Sequence, residues 1–196
     1  MAAPAQVPLD PFAGPWTEES FLDLPDDFRR AELLDGALLV SPHPGTPHMR
    51  LSARLWNLFE GARGDDLEAL IEVNIRLGPE RILIPDISVV AAGAGIDPDV
   101  VKWEARHVRM VVEIDGPNRR RFSERIKPAL YAAAGIPHML RIDLTDHGPD
   151  ASAYDLRDGT WAETARARPG EELILTDPVP LSVDLAALLG APRLAE

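Results

Sequence analysis

Residues 82–90 of the 196-residue chain have the sequence ILIPDISVV. Its nearly continuous run of apolar and β-branched residues predicts a strand that is buried on both faces. Pro85 and Asp86 interrupt the run with a proline and a carboxylate. A second apolar stretch, VRMVVEI at residues 108–114, repeats the pattern and carries an acid, Glu113, next to its end. We therefore predict two buried strands, each with a carboxylate set into it.

These carboxylates need partners, as does a third acid, Glu32, in another apolar stretch. Burying an unpaired ionised carboxylate costs several kcal/mol, so each of these acids must be neutralised, paired with a cation or bound to a metal. If the two strands pair, Asp86 and Glu113 would converge at one sheet edge, with the spacing that a hard divalent cation needs. Two structural alternatives stay open. Asp86 could cap a bulge or accept backbone hydrogen bonds, and Glu113 could pair with a buried arginine.

Turn and periodicity signals predict the other elements. Asp35-Gly36 between two apolar runs predicts a β-hairpin, because both turn positions favour a positive φ. Thr17 is a suitable N-cap for a short helix. The predicted elements are hairpin strands 32–34 and 37–40, helix 47–62, strands 69–77, 82–90 and 108–114, a helix from about 125 to 134, strand 139–143, a meander at 151–156, 160–164 and 173–175, and helix 183–189. This pattern is typical of an α/β fold (α+β, with a mixed sheet) around one sheet.

Composition limits the classes of function. The chain has 32 acidic and 20 basic residues, for a formal net charge of -12, which by itself argues against a nucleic-acid partner. The absence of cysteine excludes disulfides, thiolate zinc sites, iron–sulfur clusters and cysteine nucleophiles, and favours an oxygen-bound metal. Without a long apolar segment or signal peptide, we expect a soluble cytoplasmic protein that has no membrane span. We expect a flexible arm at residues 1–15 and a single domain at residues 16–196.

One local feature opposes the overall acidity. Five cations occur within nine positions, directly after Glu113: Arg119, Arg120, Arg121, Arg125 and Lys127. Such a run is often a solvated face, but here it lies where a phosphate backbone would have to pass. Phosphate contacts of this kind would give salt-dependent binding without sequence preference. No zinc finger, helix-turn-helix or RNA-binding aromatic motif accompanies the run, so nothing predicts base readout.

A set of motifs in a fixed order resembles a known family. The motifs are Glu32-Leu-Leu-Asp-Gly, His48 just before an amphipathic helix, Pro85-Asp86-Ile-Ser-Val-Val, Val111-Val-Glu113-Ile and Lys127-Pro-Ala-Leu-Tyr131-Ala-Ala-Ala-Gly135-Ile-Pro. They resemble the Uma2 family, also called DUF820, of proposed endonucleases in the PD-(D/E)XK nuclease superfamily. The resemblance runs from about Trp16 through the last helix. It implies a restriction-endonuclease-like αβββαβ core with an N-terminal hairpin and a C-terminal β-meander.

The resemblance also implies roles for individual residues. Asp86 and Glu113 would bind the metal, and the backbone carbonyl of Ile114 would be a further ligand. Glu32 resembles the additional acid that this superfamily supplies from an upstream element. Lys127 resembles a migrated catalytic lysine, since Asp115 fills the usual lysine position.

The implied chemistry is phosphodiester hydrolysis assisted by Mg²⁺ or Mn²⁺. The metal would polarise a phosphoryl oxygen and lower the pKa of a bound water. Lys127 would position that water or stabilise the developing charge. His48 could hydrogen-bond a carboxylate or a phosphate, or could be a partly exposed residue at a helix start.

We therefore expect a metal-dependent endonuclease with weak general affinity for DNA, acting as a homodimer. Two alternatives remain. One is a catalytically inactive protein that keeps the fold as a binding or scaffolding module. The net charge favours it, and so do Gly116 and Ser123, which stand where the family commonly has serine and aspartate. The other is a metal-dependent hydrolase of a small phosphorylated metabolite, for which no glycine-rich phosphate loop appears.

Overall fold

The structure is a computed structural model that describes residues 14–24, 30–40, 44–93, 101–116 and 120–190. Most of the expected N-terminal arm lies outside these ranges. Within them, no helix is long and apolar enough to cross a membrane. The helices are α1 (Glu18–Leu22), α2 (Thr46–Ala62), α3 (Arg120–Ala133) and α4 (Leu185–Leu189). The strands are β1 (Ala31–Leu34), β2 (Ala37–Val40), β3 (Leu67–Ile71), β4 (Ile75–Gly78), β5 (Arg81–Leu83), β6 (Ile87–Ala91), β7 (Trp103–Glu104), β8 (Val108–Asp115), β9 (His138–Thr145), β10 (Gly148–Arg157), β11 (Thr160–Ala167), β12 (Glu172–Leu175) and β13 (Leu181–Asp184).

A central sheet carries the fold, with strand order β11-β10-β9-β8-β6-β3. β8 and β9 are parallel because α3 connects them, and the other neighbours are antiparallel. On one face, α2 buries Leu51, Leu55 and Phe59 against the sheet. On the other face, α3 buries Tyr131. The order α2-β3-β6-β8-α3-β9 is the expected αβββαβ core, so the predicted mixed α/β fold is confirmed.

A second sheet has strand order β2-β1-β5-β4-β7 and holds the N-terminal hairpin. The hairpin turns at Asp35 and Gly36, whose φ angles of 49° and 83° are both positive, as the Asp-Gly signal predicts. β1 then pairs with β5, which lies just upstream of Asp86. This pairing carries β1, and Glu32 with it, beside the edge of the central sheet.

Two predicted strands are each divided between the two sheets. Residues 69–77 form the end of β3 and most of β4, separated by Glu72, whose φ of 49° breaks the strand. Residues 82–90 form most of β5 and most of β6, and the chain changes sheet around Asp86. The prediction of two continuous strands was wrong because hydrophobic alternation records burial and not the partner strand. The break places Asp86 at a junction instead of inside a ladder.

Two helices also differ from prediction. α3 begins at Arg120 and not near residue 125, so Pro128 lies inside it. The carbonyl of Pro128 accepts a hydrogen bond from Trp161 Nε1 at 2.9 Å, which ties α3 to the C-terminal meander. At the C-terminus, residues 183 and 184 belong to β13, and α4 starts after Asp184, whose side chain caps Ala186 N–H at 2.9 Å.

Candidate active site

Glu113 lies near the end of β8, and two side chains of α3 reach its carboxylate. Lys127 and Tyr131 are four residues apart, so they share one face of the helix. Lys127 Nζ lies 3.0 Å from Glu113 Oε1 and 3.1 Å from Oε2. Tyr131 donates its hydroxyl to Oε1 at 2.5 Å. Both oxygens of Glu113 therefore have donors from α3.

Glu32 brings the second sheet into the site. It is buried on β1, and Oε1 accepts the backbone N–H of Ile84 at 2.8 Å. The same oxygen lies 3.0 Å from Lys127 Nζ. The Lys127 ammonium is thus held between two carboxylates that come from different sheets.

Asp86 occupies the junction between the sheets. Its Oδ2 accepts the backbone N–H of Ile114 at 2.6 Å, and its own carbonyl accepts the N–H of Glu72 at 3.3 Å. Its Oδ1 lies 3.1 Å from His48 Nε2. Asp86 therefore accepts a backbone hydrogen bond, as the structural alternative requires, and also leaves one oxygen directed to an imidazole.

The structure brings Glu32, Asp86, Glu113 and Lys127 into one buried group, which we call the acid–lysine cluster. None of the four is more than 7% exposed. Burial raises the pKa of Glu113 to about 8; the charge of Lys127 opposes that rise, and the charges of Asp86 and Glu32 add to it. Burial alone would lower the pKa of Lys127, but Glu113 and Glu32 outweigh it and raise that pKa. Both pKa values are raised, so Glu113 and Lys127 keep their protons to a higher pH than they would in water.

Tyr131 contacts the acid–lysine cluster through its hydroxyl, although the sequence analysis named it only within the motif that begins at Lys127 and gave it no role. Burial raises the pKa of its hydroxyl well above the ordinary value, and the charges of Glu113 and Glu32 add to this effect. The hydroxyl therefore stays protonated and acts as a hydrogen-bond donor. Its spacing of four residues from Lys127 was the signal in the sequence, because that spacing places both side chains on one helix face.

The predicted DNA contacts remain predictions. Arg125 is exposed on α3, two residues before Lys127. Arg120 and Arg121 belong to α3, but the structure does not describe their side chains. Arg119 lies outside the described residues. His48 is 5% exposed and lies against Asp86, so it is not on an open surface.

The donor atoms of this site suit a divalent metal ion, but the described residues do not form a preformed metal-binding site. In the described part of the chain, no three His, Asp or Glu side chains converge as a metal-binding group. The candidate donors are the carboxylates of Asp86 and Glu113 and the carbonyl of Ile114, all hard oxygen atoms suited to Mg²⁺ or Mn²⁺. The repulsion between Asp86 and Glu113 that helps to raise the Glu113 pKa is one that a cation would relieve. Glu113 accepts hydrogen bonds from Lys127 on both oxygens and from Tyr131 on Oε1, which leaves a lone pair on Oε2 for an ion.

Comparison with known proteins places this site in a family. The family model described as Uma2, putative restriction endonuclease, matches residues 18–187. The chain belongs to the Uma2 family. A solved structure titled as a putative nuclease belonging to DUF820 from Anabaena variabilis is similar, with a TM-score of 0.70 and 18% sequence identity. The match covers 89% of this chain and 99% of that one, and it shows a shared fold. No curated protein matches this Uma2 chain.

Proposed function

We propose that this Uma2 protein is a Mg²⁺- or Mn²⁺-dependent endonuclease that hydrolyses DNA phosphodiester bonds. The observation that carries the proposal is the Lys127 ammonium buried between Glu32 and Glu113, with Asp86 beside them. Burying three acids and one lysine at the end of a core strand costs desolvation free energy that reduces the stability of the fold. Membership of a family described as putative restriction endonucleases supports phosphodiester hydrolysis as its purpose.

Asp86, Glu113 and the Ile114 carbonyl would hold the metal. When bound, the ion would polarise a phosphoryl oxygen and lower the pKa of a coordinated water. Lys127 keeps its proton because its pKa is raised, so it serves as a fixed positive charge and not as a general base. That charge would stabilise the negative charge that develops on the phosphoryl oxygens as water attacks and the P–O bond breaks.

Glu32 and Tyr131 would be positioning residues. Glu32 is anchored by Ile84 N–H and holds the Lys127 ammonium from the side opposite Glu113. Tyr131 donates to Glu113 and orients its carboxyl group.

Exposed Arg125 and the neighbouring Arg119, Arg120 and Arg121 would contact the DNA backbone, which gives weak, salt-sensitive affinity in a chain of net charge -12. We also propose a homodimer, because cutting both strands of a duplex calls for two sites.

The test is cleavage of supercoiled plasmid in Mg²⁺ or Mn²⁺ by the native protein, Glu113→Ala and Lys127→Ala. Arg106→Ala is the matched control, since Arg106 is exposed before the opposite end of β8. We expect nicking by the native and control proteins, and a loss of about 100-fold or more in both site variants. Equal residual cleavage in all four proteins would indicate a contaminant and contradict the proposal. Metal-induced thermal stabilisation of a native protein that leaves the plasmid intact would support the inactive alternative.

A further inference from the structure

His48 is a buried imidazole whose polar atoms are not accounted for. It is the third residue of α2 and lies on the helix face that also buries Leu51 and Leu55, so packing holds the ring against the sheet. Among the described residues, neither Nδ1 nor Nε2 has a hydrogen-bond partner. Buried polar atoms in proteins are nearly always paired, so the two ring nitrogens call for a partner, either a proton shared with a neighbour or a ligand.

The contact with Asp86 shows where that ligand would lie. Nε2 is 3.1 Å from Asp86 Oδ1, close enough for an ion pair but outside hydrogen-bond geometry. Two electron-rich atoms at this distance need a proton or a cation between them. Neighbouring ligands of an octahedral ion with bonds of about 2.1 Å lie about 3.0 Å apart, which is close to the observed separation.

We propose that His48 Nε2 is a direct ligand of the divalent ion, alongside Asp86 and Glu113, and that it makes the site prefer Mn²⁺ over Mg²⁺. The inference rests on the proposed function, since it concerns the same metal. An imidazole nitrogen suits first-row transition metals, whereas Mg²⁺ prefers carboxylate, carbonyl and water oxygen. A purely oxygen-donor site would lack this preference, so one side chain decides which metal is bound.

The test is pulsed electron paramagnetic resonance of Mn²⁺ added to the full-length protein, which detects nitrogen directly bonded to the ion. We expect ¹⁴N modulation in the native protein and its loss in His48→Gln and His48→Asn. The matched control is His138→Gln, because His138 also lies 3.0 Å from a carboxylate, that of Asp155, but outside the acid–lysine cluster. Calorimetric titration should show Mn²⁺ affinity about tenfold or more weaker in the His48 variants. We expect Mg²⁺ affinity to change less than about threefold, since Mg²⁺ depends on oxygen ligands.

The outcomes separate this inference from the proposed function. Mn²⁺ binding without ¹⁴N modulation in the native protein would overturn the role of His48 and leave the nuclease proposal standing. Binding of neither Mn²⁺ nor Mg²⁺ at millimolar metal would overturn the nuclease proposal itself. If the His48 variants do not fold, [¹⁵N]histidine labelling decides in a protein whose other four histidines, His43, His107, His138 and His147, are replaced by glutamine, because only a metal-bonded His48 can then show ¹⁵N in place of ¹⁴N coupling. An unchanged ¹⁴N signal after labelling would overturn the inference.

Discussion

Glu113 and Asp115 lie two residues apart on β8, face the same side of the central sheet and are both buried, but their partners differ. Asp115 faces the guanidinium of Arg141 on the neighbouring β9, with NH2 3.4 Å from Oδ2. Glu113 instead faces Lys127 and Tyr131 on α3. The Asp115–Arg141 pair is built from two strands of one sheet, and arginine stays charged under all ordinary conditions.

The acid–lysine cluster differs in both respects. Its members come from two sheets and a helix, and its three acids exceed its one lysine. Arg141 also faces a second carboxylate, since its NH2 lies 3.9 Å from Oδ1 of the partly exposed Asp143, whereas all three acids of the cluster are buried. That excess of buried negative charge is what a metal ion would compensate. We therefore expect chemistry at the acid–lysine cluster and a structural role for Asp115.

The largest effect is expected from Lys127→Met. Loss of the ammonium leaves Glu32 and Glu113 without their cation, so the free energy of unfolding should fall by about 3 kcal/mol, measured by urea denaturation. Plasmid cleavage should fall by about 1000-fold, since the charge on the transition state loses its stabiliser. Arg141→Met is the control for the other acid and should reduce cleavage less than about threefold, because it lies outside the proposed site. Equal loss of cleavage in both variants would remove the distinction between the two acids.

The second prediction is a pH dependence of stability that belongs to Glu113. Its pKa is about 8 in the folded protein against an ordinary value of 4.5, so the folded state binds more protons between these values. Stability from this group is therefore complete below about pH 4.5 and is lost as pH rises through 8, at up to about 1 kcal/mol per pH unit. Urea denaturation in EDTA from pH 5 to 9 measures it.

Glu113→Gln supplies the control for that profile. The amide cannot titrate, so the decline between pH 5 and 8 should be smaller than in the native protein. Added Mn²⁺ should instead stabilise the native protein more strongly as pH rises, because metal and proton compete for the same carboxylate. The same steep decline in Glu113→Gln would assign the titration to another group.

Tyr131→Phe should have a smaller effect. The variant keeps the ring in the core and removes only the hydroxyl that donates to Glu113, so stability should fall by about 1 kcal/mol. Cleavage should fall by about tenfold if orientation of Glu113 is the role of the hydroxyl. Tyr154→Phe, a partly buried tyrosine packed on the same side of the sheet, is the matched control. Full activity of Tyr131→Phe would leave Tyr131 as a packing residue.

The smallest effect is expected from Arg125→Ala. Removing one exposed cation should weaken DNA binding by about two- to threefold and lower the slope of log affinity against log salt by about 1. Fluorescence anisotropy with a labelled duplex at several salt concentrations measures both. Arg106→Ala should change neither quantity, and a change of equal size there would mean that the affinity reflects overall charge.

Much of the core was predictable because its elements carry strong local signals. The long amphipathic α2, the apolar β8 and the Asp35-Gly36 turn each appear where the pattern indicates. The boundaries that failed, near Glu72 and Ile84–Asp86, are positions where the chain leaves one sheet for another. An alternating or apolar run continues through such a point, because both sheets bury the same kinds of side chain.

The residue types of the site can be read directly from the chain: three acids in apolar surroundings, a lysine followed by a tyrosine four residues later, and no cysteine. The sequence also determined the order of the core elements, since hydrophobic period and turn chemistry are local properties. The partners of these side chains, in contrast, depend on tertiary packing. Arg141 is the register partner of Glu113 on β9, but its guanidinium reaches Asp115 instead, and α3 places Lys127 beside Glu113. His48 likewise became a candidate ligand only when α2 packed its ring against Asp86. Contacts between distant segments depend on how the two sheets and the helices pack together, and that packing has no local signature in the chain.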